Sequence, residues 1–202
     1  NNGIGDAGVC PKCRFMMLRA GDSFITDVQD FAQAVVYASD NGAKVVQEAL
    51  GTIDMSSYAQ RALDYAWSRG TVVVASMADE NSRHHNVPAT ANHTMPVHAI
   101  TILGPDSQST AAQSFLSFNT CTNFGAQNFL SASGTGCSSE ATARLSGLSG
   151  LVYSMGLEKK LDPPLDAGEV MQIFLMTADD IDVPESRQPG SDYFWSQTGF
   201  DQ

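Results

Sequence analysis

Thr71-Val-Val-Val-Ala-Ser76 is a run of β-branched and small residues with no polar alternation, the clearest strand in this chain. Arg14-Phe-Met-Met-Leu-Arg19, between a Cys-Pro turn and Gly21-Asp22, reads as a second buried strand, and Lys44 to Leu50 as a third. Val97 to Leu103 follows after a polar loop. Amphipathic stretches separate these runs. Asp27 opens one with Phe31, Ala32, Val35 and Ala38 on a single face, and Gly42 closes it. Ser56 or Ser57 opens another, with Ala59, Leu63 and Ala66 on its face and Gly70 as its stop. Strands and helices alternating at about 25–30 residue spacing require a parallel sheet with right-handed crossovers. The fold class is α/β.

The second half changes character. Residues 109–133 are rich in Ser, Thr, Asn, Phe and Gly, which suits short strands and turns. Cys137 to Gly156 reads as a helix whose Ala141, Ala143, Ser146, Gly147 and Gly150 allow close packing, so it is expected to be central and buried. Asp166-Ala-Gly-Glu169 has capping-box spacing and opens a helix with Val170, Ile173 and Phe174 inward. Residues 179–202 read as a loop-rich tail. The whole of 1–202 is expected to be one domain.

Composition excludes several classes of function. Eleven basic against twenty-two acidic residues leave a net charge of −11, which repels phosphate backbones and argues against nucleic-acid binding. The longest uncharged apolar-leaning run, Leu145 to Leu157, has 13 residues, too few to span a bilayer. Four cysteines stand as Cys10-x-x-Cys13 and as Cys121 and Cys137. A structural zinc site wants a second doublet at matching spacing, so two disulfides are favoured over zinc or buried thiols. Disulfides imply secretion or a periplasm.

In an open parallel sheet, ligands bind beyond the carboxyl ends of the strands. Three segments end there: 49–52 (Ala49, Leu50, Gly51, Thr52), 76–80 (Ser76, Met77, Ala78, Asp79, Glu80) and the turn Gly134-Thr-Gly-Cys137. The turn suits a nucleophile, since a helix N-terminus and nearby amides stabilise an oxyanion. Ser138 and Ser139 read as first-turn caps in preference to displaced nucleophiles. Cys137 reads as a disulfide partner in preference to a reactive thiolate. His84, His85 and His93 read as a polar turn in preference to a metal site. Asp79 and Glu80 read as solvated or ion-paired, because consecutive carboxylates rarely share one proton.

These segments together resemble the subtilisin-like serine peptidases. Gly70 to Asp79 is similar to the strand and loop that deliver their oxyanion-hole Asn, and Gly134 to Ala143 to their Gly-Thr-Ser nucleophile turn and helix. Val45 to Gly51 resembles the strand lining their peptide cleft. Thr122-Asn-Phe-Gly125 through Ser131-Ala-Ser-Gly134 resembles the pattern ahead of the nucleophile. The resemblance implies a three-layer, mostly parallel, partial subtilisin-like fold, with Ala49, Leu50, Gly51, Thr52, Ser76, Met77 and Ala78 against an extended peptide or protein substrate. It also implies disulfides Cys10–Cys13 and Cys121–Cys137, and calcium as a frequent family ligand, though no loop carries the Asp/Asn cluster of a strong site; no cofactor and no metal site are expected.

The departures fall on catalytic positions. Gly136 stands at the nucleophile position and has no side chain to attack with. Asp79 stands where an oxyanion-hole amide belongs, and an ionised carboxylate there repels the developing oxyanion. The family's catalytic Asp and His belong to segments that precede Asn1. The chain is therefore expected to be a subtilisin-like endopeptidase domain that is inactive alone; the alternatives are a dead peptide-binding relative or a structural module of a secreted assembly. The strand at Phe15 to Leu18 is expected to need a missing N-terminal segment or an oligomer mate to cover its edge.

Overall fold

Each helix begins and ends on the residues that local chemistry selects. In the computed structural model, which describes residues 8–21, 27–54, 56–80, 86–103, 115–118, 130–134 and 137–178 with Ile4, Ile25, Ser82, Thr122 and Asn123, Asp27 caps α1 (Val28–Asp40). Its Oδ1 accepts from the Gln29 amide at 2.7 Å. Gly42, just past the helix, takes φ +81°, a conformation that costs other residues about 1 kcal/mol or more. Ser56 caps α2 (Ser57–Ser68), and Gly70 at φ +69° follows it. Asp166 and Glu169 complete a reciprocal capping box on α4 (Ala167–Thr177), at 2.8 and 2.9 Å.

Three central strands are parallel and in sequence order: β1 (Val45–Glu48), β2 (Val72–Ser76) and β3 (Thr94–Leu103). The far half of β3 pairs antiparallel with β4 (Phe115–Phe118) and parallel with β5 (Ser131–Ser133). Alternation along β2 explains its composition. Val72 and Val74 face α3 (Cys137–Glu158) and α4 with Met95, Val97, Ala141 and Leu145, while Val73 faces α1 and α2 with Phe31, Val35, Leu63 and Ala66. Both faces are covered, so the molecule has three layers and the strands carry no polar face. Burying the side chains of β2 stabilises the fold by roughly 1.5–3 kcal/mol for each valine.

The small residues of α3 have an identifiable neighbour. A Cβ on Gly147 would lie 2.8 Å from Val9 Cβ, and one on Gly150 would lie 2.9 Å from Cys13 Sγ. The Cys10–Cys13 disulfide, closed as a turn by the Cys13 amide on the Cys10 carbonyl at 3.0 Å, thus docks directly on the helix. Cys137 is likewise in a disulfide.

The expectation of a strand over Arg14 to Arg19 is not met. Residues 13–20 have no regular secondary structure, and Phe15 and Met17 are 85% and 81% exposed. Among the described strands, β1 is the sheet's edge and pairs only with β2, and this run does not lie along it as a strand. Outside any sheet its apolar side chains have no common face to bury, and Phe15, Met16, Met17 and Leu18 stay exposed. Gly136, Cys121, His84, His85 and the tail 179–202 lie outside the described residues.

Candidate active site

Strand β2 carries the site to the carboxyl edge of the sheet. After Met77, whose amide still reaches the Val97 carbonyl at 3.2 Å, Ala78 turns the chain at φ +72°. That left-handed turn aims Asp79 at the first turn of α3. Asp79 Oδ1 accepts from the Ser138 amide at 2.9 Å and from the Ser138 hydroxyl. Ser76 Oγ lies 2.6 Å from Ser138 Oγ and accepts from the Ala78 amide at 3.2 Å. A consistent proton order runs from Ala78 N–H to Ser76, from Ser76 O–H to Ser138, and from Ser138 O–H to the carboxylate.

Ser138 is fully buried. Its hydroxyl bonds Ser76 and Asp79 instead of capping its own helix, the role the sequence pattern suggests; it is the internal partner of Asp79. The carboxylate does the capping instead, from 59 residues away, and the helix dipole favours its negative charge there. Asp79 and Glu80 therefore do different work and do not form a carboxylate pair.

A fully buried Asn123 holds the loop after Asp79. Its Oδ1 accepts from the amides of Glu80 and Ser82 at 2.9 and 3.2 Å, its Nδ2 donates to Glu80 Oε2 at 2.6 Å, and its own amide donates to the Ala78 carbonyl at 2.9 Å. Sequence reasoning noted Asn123 only within a motif. The available signal was an Asn beside a Gly-rich turn, since a buried Asn satisfies several loop amides at once.

Two of the expected segments come together. Residues 49–53 form one wall of a cleft of about 530 Å³, and Ser76 with residues 78–80 form the other; Ile25 and Asn86 complete it. A two-bond bridge, Thr52 amide to Val87 carbonyl at 2.9 Å and Val87 amide to Thr52 carbonyl at 2.8 Å, ties the first wall to the Asn86 segment. Met77 is the exception among the expected residues. It is fully buried among Ala75 and Ala89, because alternation turns it away from its neighbours Ser76 and Ala78. A larger groove of about 650 Å³ lies along α1 and α2, lined by Tyr37, Tyr58 and Arg61 among others, remote from these segments.

Two buried ionisable groups flank the site. Glu48, at the end of β1 beside the first wall, is 7% exposed, and neither carboxyl oxygen meets a hydrogen-bond partner of good geometry. Desolvation pushes its pKa up to about 8, and the Leu50 amide offsets only part of this. Burial pushes the His98 imidazole down to about 4; its Nδ1 lies 3.3 Å from Ser131 Oγ. His93 belongs to the surface, bound to Asp64 at 2.8 Å and stacked on Trp67 at 4.8 Å. Among the described residues no three His, Cys, Asp or Glu side chains converge as for a metal ion, and no helix is long and apolar enough to cross a membrane.

Comparison with known proteins agrees with this architecture. The family model of the subtilases (peptidase S8) matches residues 1–192. Thermitase from Thermoactinomyces vulgaris is 31% identical over 168 residues, which are 77% of this chain and 57% of that protein. A thermophilic serine proteinase from Bacillus sp. strain AK1 is 35% identical over 101 residues, 50% of this chain and 25% of that one. The chain thus spans from a quarter to just over half the length of these curated relatives. Among solved structures, the self-cleaved protease domain of PatA superposes with a TM-score of 0.65 at 20% identity, covering 85% of this chain and 68% of that chain. Sphericase gives 0.63 at 16%, covering 78% and 57%. With a parallel sheet covered by helices on both faces, and the family pattern running nearly end to end, this chain belongs to the subtilase family of serine peptidases.

Proposed function

We propose that this chain is a subtilase domain that binds extended polypeptide in the cleft between residues 49–53 and 76–80 without hydrolysing it. One observation carries the reading: the Asp79 carboxylate sits on the Ser138 amide and hydroxyl at the start of α3. In the family this end of the helix serves the reacting carbonyl. Here the Asp79 carboxylate already takes the Ser138 amide and hydroxyl, and its charge would oppose the one that develops in acyl transfer. Gly136, at the position resembling the nucleophile, supplies no attacking atom. What remains is the cleft, whose wall at Ala49 and Leu50 continues an edge strand and offers backbone groups to an added strand. The Cys10–Cys13 disulfide supports a secreted or periplasmic setting.

A fluorophosphonate probe, casein hydrolysis and fluorescence-anisotropy titration with labelled hexapeptides test the reading together. The expected result is no covalent labelling, no hydrolysis and saturable peptide binding. Labelling at Ser138 or Ser139, or turnover of casein, would restore the peptidase reading. Absence of any peptide binding would leave only a structural role.

A further inference from the structure

We propose that Cys10–Cys13 is a thiol-exchangeable disulfide that latches residues 8–13 onto α3, so that a thiol in the surroundings releases this segment. The bond closes a tight turn, itself held by the Cys13 amide on the Cys10 carbonyl at 3.0 Å. Residues 8–18 have no strand or helix, so no ladder ties the turn to the sheet. Toward α3 the contact is of side chains. Val9 fills the space over Gly147, where a Cβ would fall 2.8 Å from Val9 Cβ. The disulfide fills the space over Gly150, where a Cβ would fall 2.9 Å from Cys13 Sγ and 3.6 Å from Cys10 Sγ. Gly8, at φ +74° with open space around its Cβ position, gives the turn a hinge at one end, and irregular chain follows at the other.

The bond is placed to exchange. A loop this short constrains the unfolded chain less than a long one, so opening it costs the fold little. Cys13 is exposed and Cys10 half-buried, and a turn without a ladder opens locally to admit a thiol. Lys12 and Arg14, both exposed, flank Cys13 in the chain, and cations favour the thiolate and hence the reduced pair. Exchange runs in two steps. An external thiolate attacks Cys13 Sγ, the Cys10–Cys13 bond breaks as a mixed disulfide forms, and Cys10 leaves as thiolate. A second external thiolate attacks the external sulfur, Cys13 leaves as thiolate, and the two external sulfurs depart joined. The chain gains two electrons, the external thiols lose two, and the protons they shed are available to the cysteine thiolates. Reduction then undoes the docking. One bonded pair of sulfurs fits over Gly150, whereas two separate sulfurs at van der Waals distance need more room than the notch gives, so residues 8–13 swing away on Gly8.

Equilibration of the full chain in graded glutathione buffers, then acid quench, alkylation and peptide mapping, tests this. The disulfide of Cys137, at the start of α3, is the internal reference. Cys10–Cys13 is expected to open at a reducing ratio (squared glutathione over its disulfide) at least about tenfold lower than the Cys137 bond requires. On opening, amide hydrogen exchange of residues 9–13 should accelerate at least about tenfold while β2 stays protected. Gly150→Ala sets a methyl against the docked disulfide and Gly147→Ala sets one against Val9, so by linkage each should lower the required ratio further, several-fold. Opening no earlier than the Cys137 bond would overturn the exchange. Opening without faster exchange in residues 9–13, or a ratio that neither glycine variant moves, would overturn the latch. Loss of β2 protection together with the turn would show that the bond holds the whole fold, and would overturn the proposal.

Discussion

Replacing Glu48 by Gln should change how the stability of this fold depends on pH. Glu48 shares a strand face with Val46, which packs on the α1–α2 cluster, and its carboxyl is nine-tenths removed from water. Its pKa rises from 4.5 to about 8 on folding. Between those values the folded chain holds a proton that the unfolded chain releases, so stability falls as pH rises, by about 1.4 kcal/mol per pH unit. The full loss, complete above pH 8, is roughly 4–5 kcal/mol, a large share of the ~5–15 kcal/mol that typical domains possess. His98 acts in the opposite sense. Its pKa falls from 6.5 to about 4, so its contribution is intact above 6.5 and is lost as pH falls toward 4. The two slopes offset each other between about pH 4.5 and 6.5, and Glu48 alone governs the decline from there to pH 8. Urea denaturation followed by tryptophan fluorescence at pH 5, 6, 7 and 8 measures this. The substitution removes the titrating group, so the stability of Glu48→Gln relative to the unaltered chain should climb by roughly 4 kcal/mol across that range. Parallel profiles for the two proteins would refute a buried, protonated Glu48.

Asp79→Ala removes the carboxylate that caps α3 and leaves the Ser138 hydroxyl and amide without it; a loss of about 1–3 kcal/mol is expected in thermal or urea unfolding, and a loss below about 0.5 would refute the clamp. Gly51→Ala collides with Asn86 Nδ2, and adding Asn86→Ala should recover stability by clearing that space; a double variant no more stable than Gly51→Ala would contradict the packing. A non-reduced peptide map should recover Cys10–Cys13 and Cys121–Cys137 as the two cross-links, and any other pairing would refute this set. The exposed run Phe15 to Leu18 should drive concentration-dependent self-association in sedimentation velocity, abolished by Phe15→Ser with Met17→Ser; a monomer at every concentration would contradict this.

Elements written by short-range physics were legible in advance. Asp27, Ser56 and Asp166 cap their helices because a side-chain oxygen reaches an amide two or three residues away, a distance no topology can alter. Gly42 and Gly70 end helices because their backbone adopts positive φ without a Cβ to oppose it. The Val-rich β2 advertised burial on both faces, the order of strands and helices indicated the α/β class, and the resemblance of residues 70–79 and 134–143 to subtilisin-like segments indicated the family. The failures were of another kind. Arg14 to Arg19 has the composition of a buried strand, but a strand exists only where the chain reaches a neighbour's ladder, and among the described residues this run pairs with no strand.

The site divides along the same line. Sequence alone indicated that segments 49–52 and 76–80 would lie at the carboxyl ends of strands, because parallel connectivity puts them there. It could not indicate that Met77 turns inward, that Ser138 would meet Asp79 across 59 residues of chain, or that Glu48 would be sealed from water. Each of those depends on where a second element arrives. Caps, turns and strand periodicity are settled within a few residues, whereas burial, hydrogen-bond partners and the pKa values they set belong to neighbours that only the folded chain brings into contact.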